Sequence, residues 1–159
     1  MRRWRLVVVA ACIVAGCLSL VSSAVASDAS VRSAIKQSAQ QVKESGELKD
    51  ALKELREDPK SLEKVHKAIA KFTGALRKVA DTVSAQEGST PEGKQGKTDY
   101  VGGLHKFITG FNDVDKAITD AKNHEKAAAK AELKKGATLV AAGVVEIKKG
   151  AQLLHVKSA

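Results

Sequence analysis

The run GSTPEGKQGKT at residues 88–98 places Gly88 five residues ahead of Gly93-Lys94, the spacing of a phosphate-binding loop. That chemistry needs a buried strand to deliver the loop and a helix N-terminus to receive the phosphate. It also needs a Ser or Thr hydroxyl directly after the lysine to hold magnesium. Here Gln95 stands where the hydroxyl belongs, and the second Gly96-Lys97-Thr98 has Pro91 where its first glycine should be. The segment before it carries helical, not strand, periodicity. The stretch therefore reads as a solvated interhelical loop over residues 87–98.

Glu63-Lys64-Val65-His66 has the E-x-x-H spacing of a di-iron bundle, which requires two such motifs and two further glutamates facing inward. The residues three before His105, His124 and His155 are Gly102, Ala121 and Gln152, so the second motif is missing. Asn112-Asp113-Val114-Asp115 has no glycine or later glutamate to complete a calcium loop. The chain's two cysteines, Cys12 and Cys17, both lie near the N-terminus. No nucleophile elbow and no H-E-x-x-H zinc motif is present. The expectation is a protein with no catalytic residues, no metal, no cofactor and no small-molecule substrate.

The N-terminus MRRWRLVVVAACIVAGCLSLVSSAVAS reads as a leader. Arg2, Arg3 and Arg5 precede an apolar run from Leu6 to Val21, and Ala24-Val25-Ala26 forms an A-x-A cleavage site before Ser27. Residues 1–26 are thus expected to be a cleaved signal peptide, and 27–159 one secreted or extracytoplasmic domain. Lipidation at Cys17 is the lesser reading, because the residues after it stay apolar; an uncleaved anchor is weaker still. Cleavage would leave no cysteine, hence no disulfide, and a chain whose own core must hold it together. Of the chain's 27 basic and 18 acidic side chains, residues 122–159 carry 8 and 3, so the positive excess gathers in the last quarter.

The elements that carry these residues are read from apolar spacing. Leu62, Val65, Ile69, Phe72, Leu76, Val79 and Val83 alternate steps of three and four, a heptad seam along one helix face. Asp58-Pro59 supplies a cap and a first helical residue, predicting a helix over 59–86. Val101, Leu104, Ile108, Phe111 and Ile118 predict another over 99–122, with Asp115 as a polar residue in its seam that could fix register. Leu133, Ala137, Val140, Val144, Ile147, Ala151 and Leu154 predict the last, over 124–157. Residues 28–57 carry two shorter seams around Ser45-Gly46, one kinked helix or two. No segment alternates with period two. The expected fold is all-α, an antiparallel up-down-up-down four-helix bundle with one generous loop.

The last helix has two features that a plain bundle does not require. Lys122, Lys126, Lys130 and Lys134 recur every four residues, so like charges stack on one face, and Lys135, Lys148 and Lys149 add to them. Gly136, Gly143 and Gly150 recur every seven, each costing about 1 kcal/mol relative to alanine inside a helix. The glycines predict close helix packing, and the lysines a candidate contact with an anionic surface. Specific nucleic-acid recognition is not expected, since no aromatic residue interleaves with the lysines. The functional expectation is an exported, non-enzymatic interaction protein with a protein partner. The alternative is a helical protein that binds anionic membrane surfaces through its last helix.

Overall fold

The computed structural model describes residues 28–41, 44–58 and 61–156. The leader, its cleavage site, Cys12, Cys17 and Pro59 lie outside the described residues. Those described are helical, with no strand among them: α1 Ala29–Gln41, α2 Glu44–Glu57, α3 Leu62–Ser84, α4 Pro91–Lys122 and α5 Lys126–Leu153.

The described residues before α3 form two helices, one ending at Gln41 and the next starting at Glu44, just ahead of Ser45-Gly46. Both lie along α3. Glu54 meets Lys64 at 2.5 Å and Glu47 meets Lys71 at 2.9 Å, so seven residues backward on α2 correspond to seven forward on α3, an antiparallel register. The α3 seam is buried as its spacing requires, from Val65 through Ile69, Phe72, Leu76 and Val79 to Val83, with Leu62 partly covered. The described helix begins at Leu62. Ser61 donates its hydroxyl to the Asp58 carbonyl at 2.7 Å, closing a turn that leaves Ser61, without a side-chain cap bond, at the helix start.

Helix α4 differs most from expectation, starting eight residues earlier than 99. The interhelical loop shrinks accordingly to the few residues before Thr90. Thr90 is a true N-cap, its hydroxyl accepting the Gly93 N–H at 2.9 Å, and Pro91 follows at the first helical position. Glycines read as loop-formers stay helical because other groups occupy the space their side chains would need. A Cβ on Gly93 would lie 2.1 Å from Asp28 Oδ1, and one on Gly96 2.7 Å from Leu154 Cγ.

Two seams run along α4. Leu104, Ile108 and Phe111 belong to the face read from sequence, which meets α3 where Phe72 and Phe111 stack edge-to-face with centroids 5.1 Å apart. A second seam, Gly96, Tyr100, Gly103, Phe107, Gly110, Val114 and Ala117, lies beside it and is also buried. This second face receives α5. No other pair of helices among the described residues is so closely apposed.

Candidate contact surface on the last helix pair

The second α4 seam carries glycine every seventh residue, and so does α5. In the antiparallel hairpin Gly96 meets Gly150, Gly103 meets Gly143 and Gly110 meets Gly136. A Cβ added to Gly103 would sit 2.7 Å from the Gly143 carbonyl oxygen, and one added to Gly143 would sit 2.6 Å from that of Gly103. The outer pairs are as tight: Cβ atoms added to Gly110 and Gly136 would sit 2.7 and 2.6 Å from each other's carbonyl oxygens, and one added to Gly150 would sit 2.5 Å from that of Gly96. Backbone therefore lies on backbone at these three points, with no room for a side chain between them. Such contact replaces side-chain packing with Cα–H···O and dispersion contacts.

The α5 seam keeps Val140, Ile147, Ala151 and Leu154 of its sequence reading and takes the three glycines in place of Ala137 and Val144. Gly136, Val140, Gly143, Ile147, Gly150 and Leu154 face inward, whereas Ala137 is exposed and Val144 only half-buried. The expectation set Gly136, Gly143 and Gly150 beside the seam as points of close helix packing, whereas they lie in the contact line itself. Gly96, Gly103 and Gly110, the partners on α4, were missed altogether, although their own spacing of seven is visible in the sequence.

Four ion pairs flank the glycines. Lys106 bridges Glu146, Lys116 bridges Glu132 at 2.5 Å, Lys135 bridges Asp113 at 3.0 Å and Lys149 bridges Asp99 at 3.0 Å. The hydrogen bond from Lys116 holds the Glu132 carboxyl below its usual range, and Glu132 and Asp113 in turn raise the ammonium groups of Lys116 and Lys135. Lys135 and Lys149 therefore turn toward α4 and do not belong with the outward set. Glu132 and Glu146 are likewise directed to α4 lysines. The outer face of α5 is left with Lys126, Lys130, Lys134 and Lys148, joined by Lys122 at the end of α4, all exposed. Between the lysines lie exposed Ala137, Thr138, Ala141 and Val145, with half-buried Leu133 and Val144 beside them. Val145 is 65% exposed, the large apolar side chain most open to water among the described residues.

The run that resembles a phosphate loop has a different occupant. The Asp28 carboxylate, 6% exposed, sits over the N-terminus of α4. It accepts the N–H groups of Ser89 at 2.7 Å and Thr90 at 3.3 Å, and the hydroxyls of Ser89 at 3.0 Å and Thr90 at 2.6 Å. The Thr90 hydroxyl above all, helped by the other donors against the effect of burial, lowers its pKa to about 2. Lys97 donates to the Gln86 and Ser84 carbonyls at 2.7 and 3.3 Å, capping the C-terminus of α3. Thus the carboxylate of the residue just ahead of α1 occupies the anion-favouring helix end. No sequence signal announced Asp28, because its partners lie 61 and 62 residues away.

The remaining motif residues are accounted for by pairing. His66 Nδ1 lies 2.6 Å from Asp115 Oδ1 across the α3–α4 contact, so the polar residue in the α4 seam has a polar partner. Glu63 bonds Lys67 one turn on. Among the described residues no three His, Cys, Asp or Glu side chains converge as a metal site, and no helix is long and apolar enough to cross a membrane. No family model, curated protein or solved structure matches the chain, so its functional reading rests on its own residues.

Proposed function

We propose that this is an exported, non-enzymatic helical protein that acts by binding a macromolecular partner outside the cytoplasm, with the outer face of α5 as its contact surface. Export is inferred from the leader ending at Ala26. In this reading α1 and α2 together form one leg of an up-down-up-down bundle, and α3, α4 and α5 the other three.

One observation carries the proposal. The acidic side chains Glu132 and Glu146 are engaged with α4, while Lys126, Lys130, Lys134 and Lys148 point away from it around an apolar strip that ends at exposed Val145. The stacked like charges weigh against a face selected for stability alone. Interaction surfaces accept such costs.

A photoreactive residue placed at Val145, compared with one at exposed Arg77 on α3, tests the assignment on the producing cells and their medium. Cross-linking concentrated at position 145 is expected. Equal labelling at both positions would remove α5 as the contact face, and an unprocessed chain retained in the cytoplasm would remove the export route.

A further inference from the structure

Resting on the contact face just proposed, we infer that its partner is an anionic phospholipid surface, on which α5 lies flat as a preformed bar while remaining packed on α4. The unpaired lysines from Lys126 to Lys148 span 22 residues, about 33 Å of helix at 1.5 Å per residue. They flank the strip Leu133, Ala137, Ala141, Val144 and Val145 at both ends. This is the layout of an in-plane helix: cationic groups at headgroup level, a shallow apolar strip between them, and lysine stems long enough to reach outward.

The side-chain chemistry favours lipid over a protein groove. Protein hot spots draw on Trp, Tyr and Arg seated in defined pockets. The α5 sequence KAAAKAELKKGATLVAAGVVEIKKGAQL has none of the three. Lysine offers a mobile point charge suited to a diffuse anionic layer, without the planar fork that reads a particular carboxylate. Depth is limited as well, since the strip consists of small and β-branched groups and no described helix can span a bilayer.

The glycine hairpin gives the inference its second half. With three backbone-to-backbone glycine contacts and four ion pairs behind it, α5 presents its outer face already ordered. Docking then needs no opening of the α4–α5 hairpin and adds no helix.

The test uses the chain from Ser27, which contains every contact described above, and follows co-sedimentation with phosphatidylcholine vesicles and with vesicles containing phosphatidylglycerol, near physiological salt. Binding to the anionic vesicles alone is expected, with the circular dichroism unchanged. Each lysine near such a surface contributes on the order of fivefold in partitioning, so the K126Q/K130Q/K134Q/K148Q variant should bind at least tenfold more weakly. The control K49Q/K53Q/R77Q/K78Q removes the same net charge from exposed positions on α2 and α3 and should retain most binding. V145D, which leaves the lysines in place, should weaken binding as well. Thermal melts establish that each variant is folded.

Equal losses in the two quadruple variants would overturn the inference, because net charge and not this face would then be responsible. Absence of anionic-vesicle binding would overturn it too. If cross-linking at position 145 then still identified a defined protein, the interaction reading would stand without the lipid. If that labelling also failed, both would fall.

Discussion

Identical substitutions should have opposite effects at two glycines of this chain. Gly74, in the middle of α3, has no atom within 4 Å of where a Cβ would lie. Gly74→Ala should stabilise by about 1 kcal/mol through helix propensity and the smaller entropy of the unfolded chain. At Gly143 the same methyl meets the Gly103 carbonyl at 2.6 Å and the Phe107 nitrogen at 3.1 Å, both backbone atoms that cannot swing aside. Gly143→Ala should destabilise by about 1–3 kcal/mol despite the propensity gain. Chemical denaturation of the two variants checks both signs. A related pair closes the helix ends: His124 and His155 have φ of 63° and 51°, where glycine is usual. The N–H groups of Glu125 and Val156 reach back to Asp120 and Ala151 at 2.8 Å, completing the same cap twice. His124→Gly should raise stability by roughly 1 kcal/mol by relieving the left-handed strain, measurable as a higher Tm.

Helix α4 shows how far local pattern carried and where it stopped. One seam was legible because Leu104, Ile108 and Phe111 are large and apolar, and spacing of such residues is the main signal of a buried face. The second was hidden because its contact positions are Gly96, Gly103 and Gly110, which propensity counts against a helix. The early start was hidden for a similar reason: GSTPEG resembles a turn until Asp28 is seen filling the space above Gly93. That clamp has a pH signature. Asp28 ionises in the fold at about 2, below its ordinary 3.8. Its carboxylate therefore stabilises the fold fully above the ordinary value, and the contribution fades as pH falls from about 5 toward 2. Asp28→Asn should lower stability by about 1–2 kcal/mol at neutral pH, and the difference from the unaltered chain should narrow toward zero near pH 2. Thermal melts across that range read the effect; a gap that widened on acidification would contradict the assigned direction. Glu132, held low by Lys116, adds acid sensitivity of the same sign.

For the molecule as a whole, charge placement separates what holds the fold from what faces outward. Asp99, Asp113, Glu132 and Glu146 each receive a lysine across the α4–α5 contact, whereas the lysines at 126, 130, 134 and 148 are left to one another and to solvent. Composition foretold the basic excess of the last quarter, but its sorting into inward pairs and an outward row needed the hairpin register. Relieving that row should stabilise the isolated protein. Lys130 has Lys126 and Lys134 one turn away on either side, so Lys130→Gln should gain about 0.5 kcal/mol at low ionic strength, a gain that vanishes in 1 M salt. Melting curves at the two salt concentrations distinguish this from a packing effect.

The paired glycines also make length a counted quantity in this hairpin. An insertion of one residue between Gly103 and Gly110 would turn every position beyond it about 100° around the helix, setting Thr109 or a neighbour against the α5 backbone and parting the chains. A matched loss of seven residues from each helix would remove one glycine pair and bring the rest back into step. Viable descendants of this sequence should therefore vary the α4–α5 arm by whole heptads taken from both helices together.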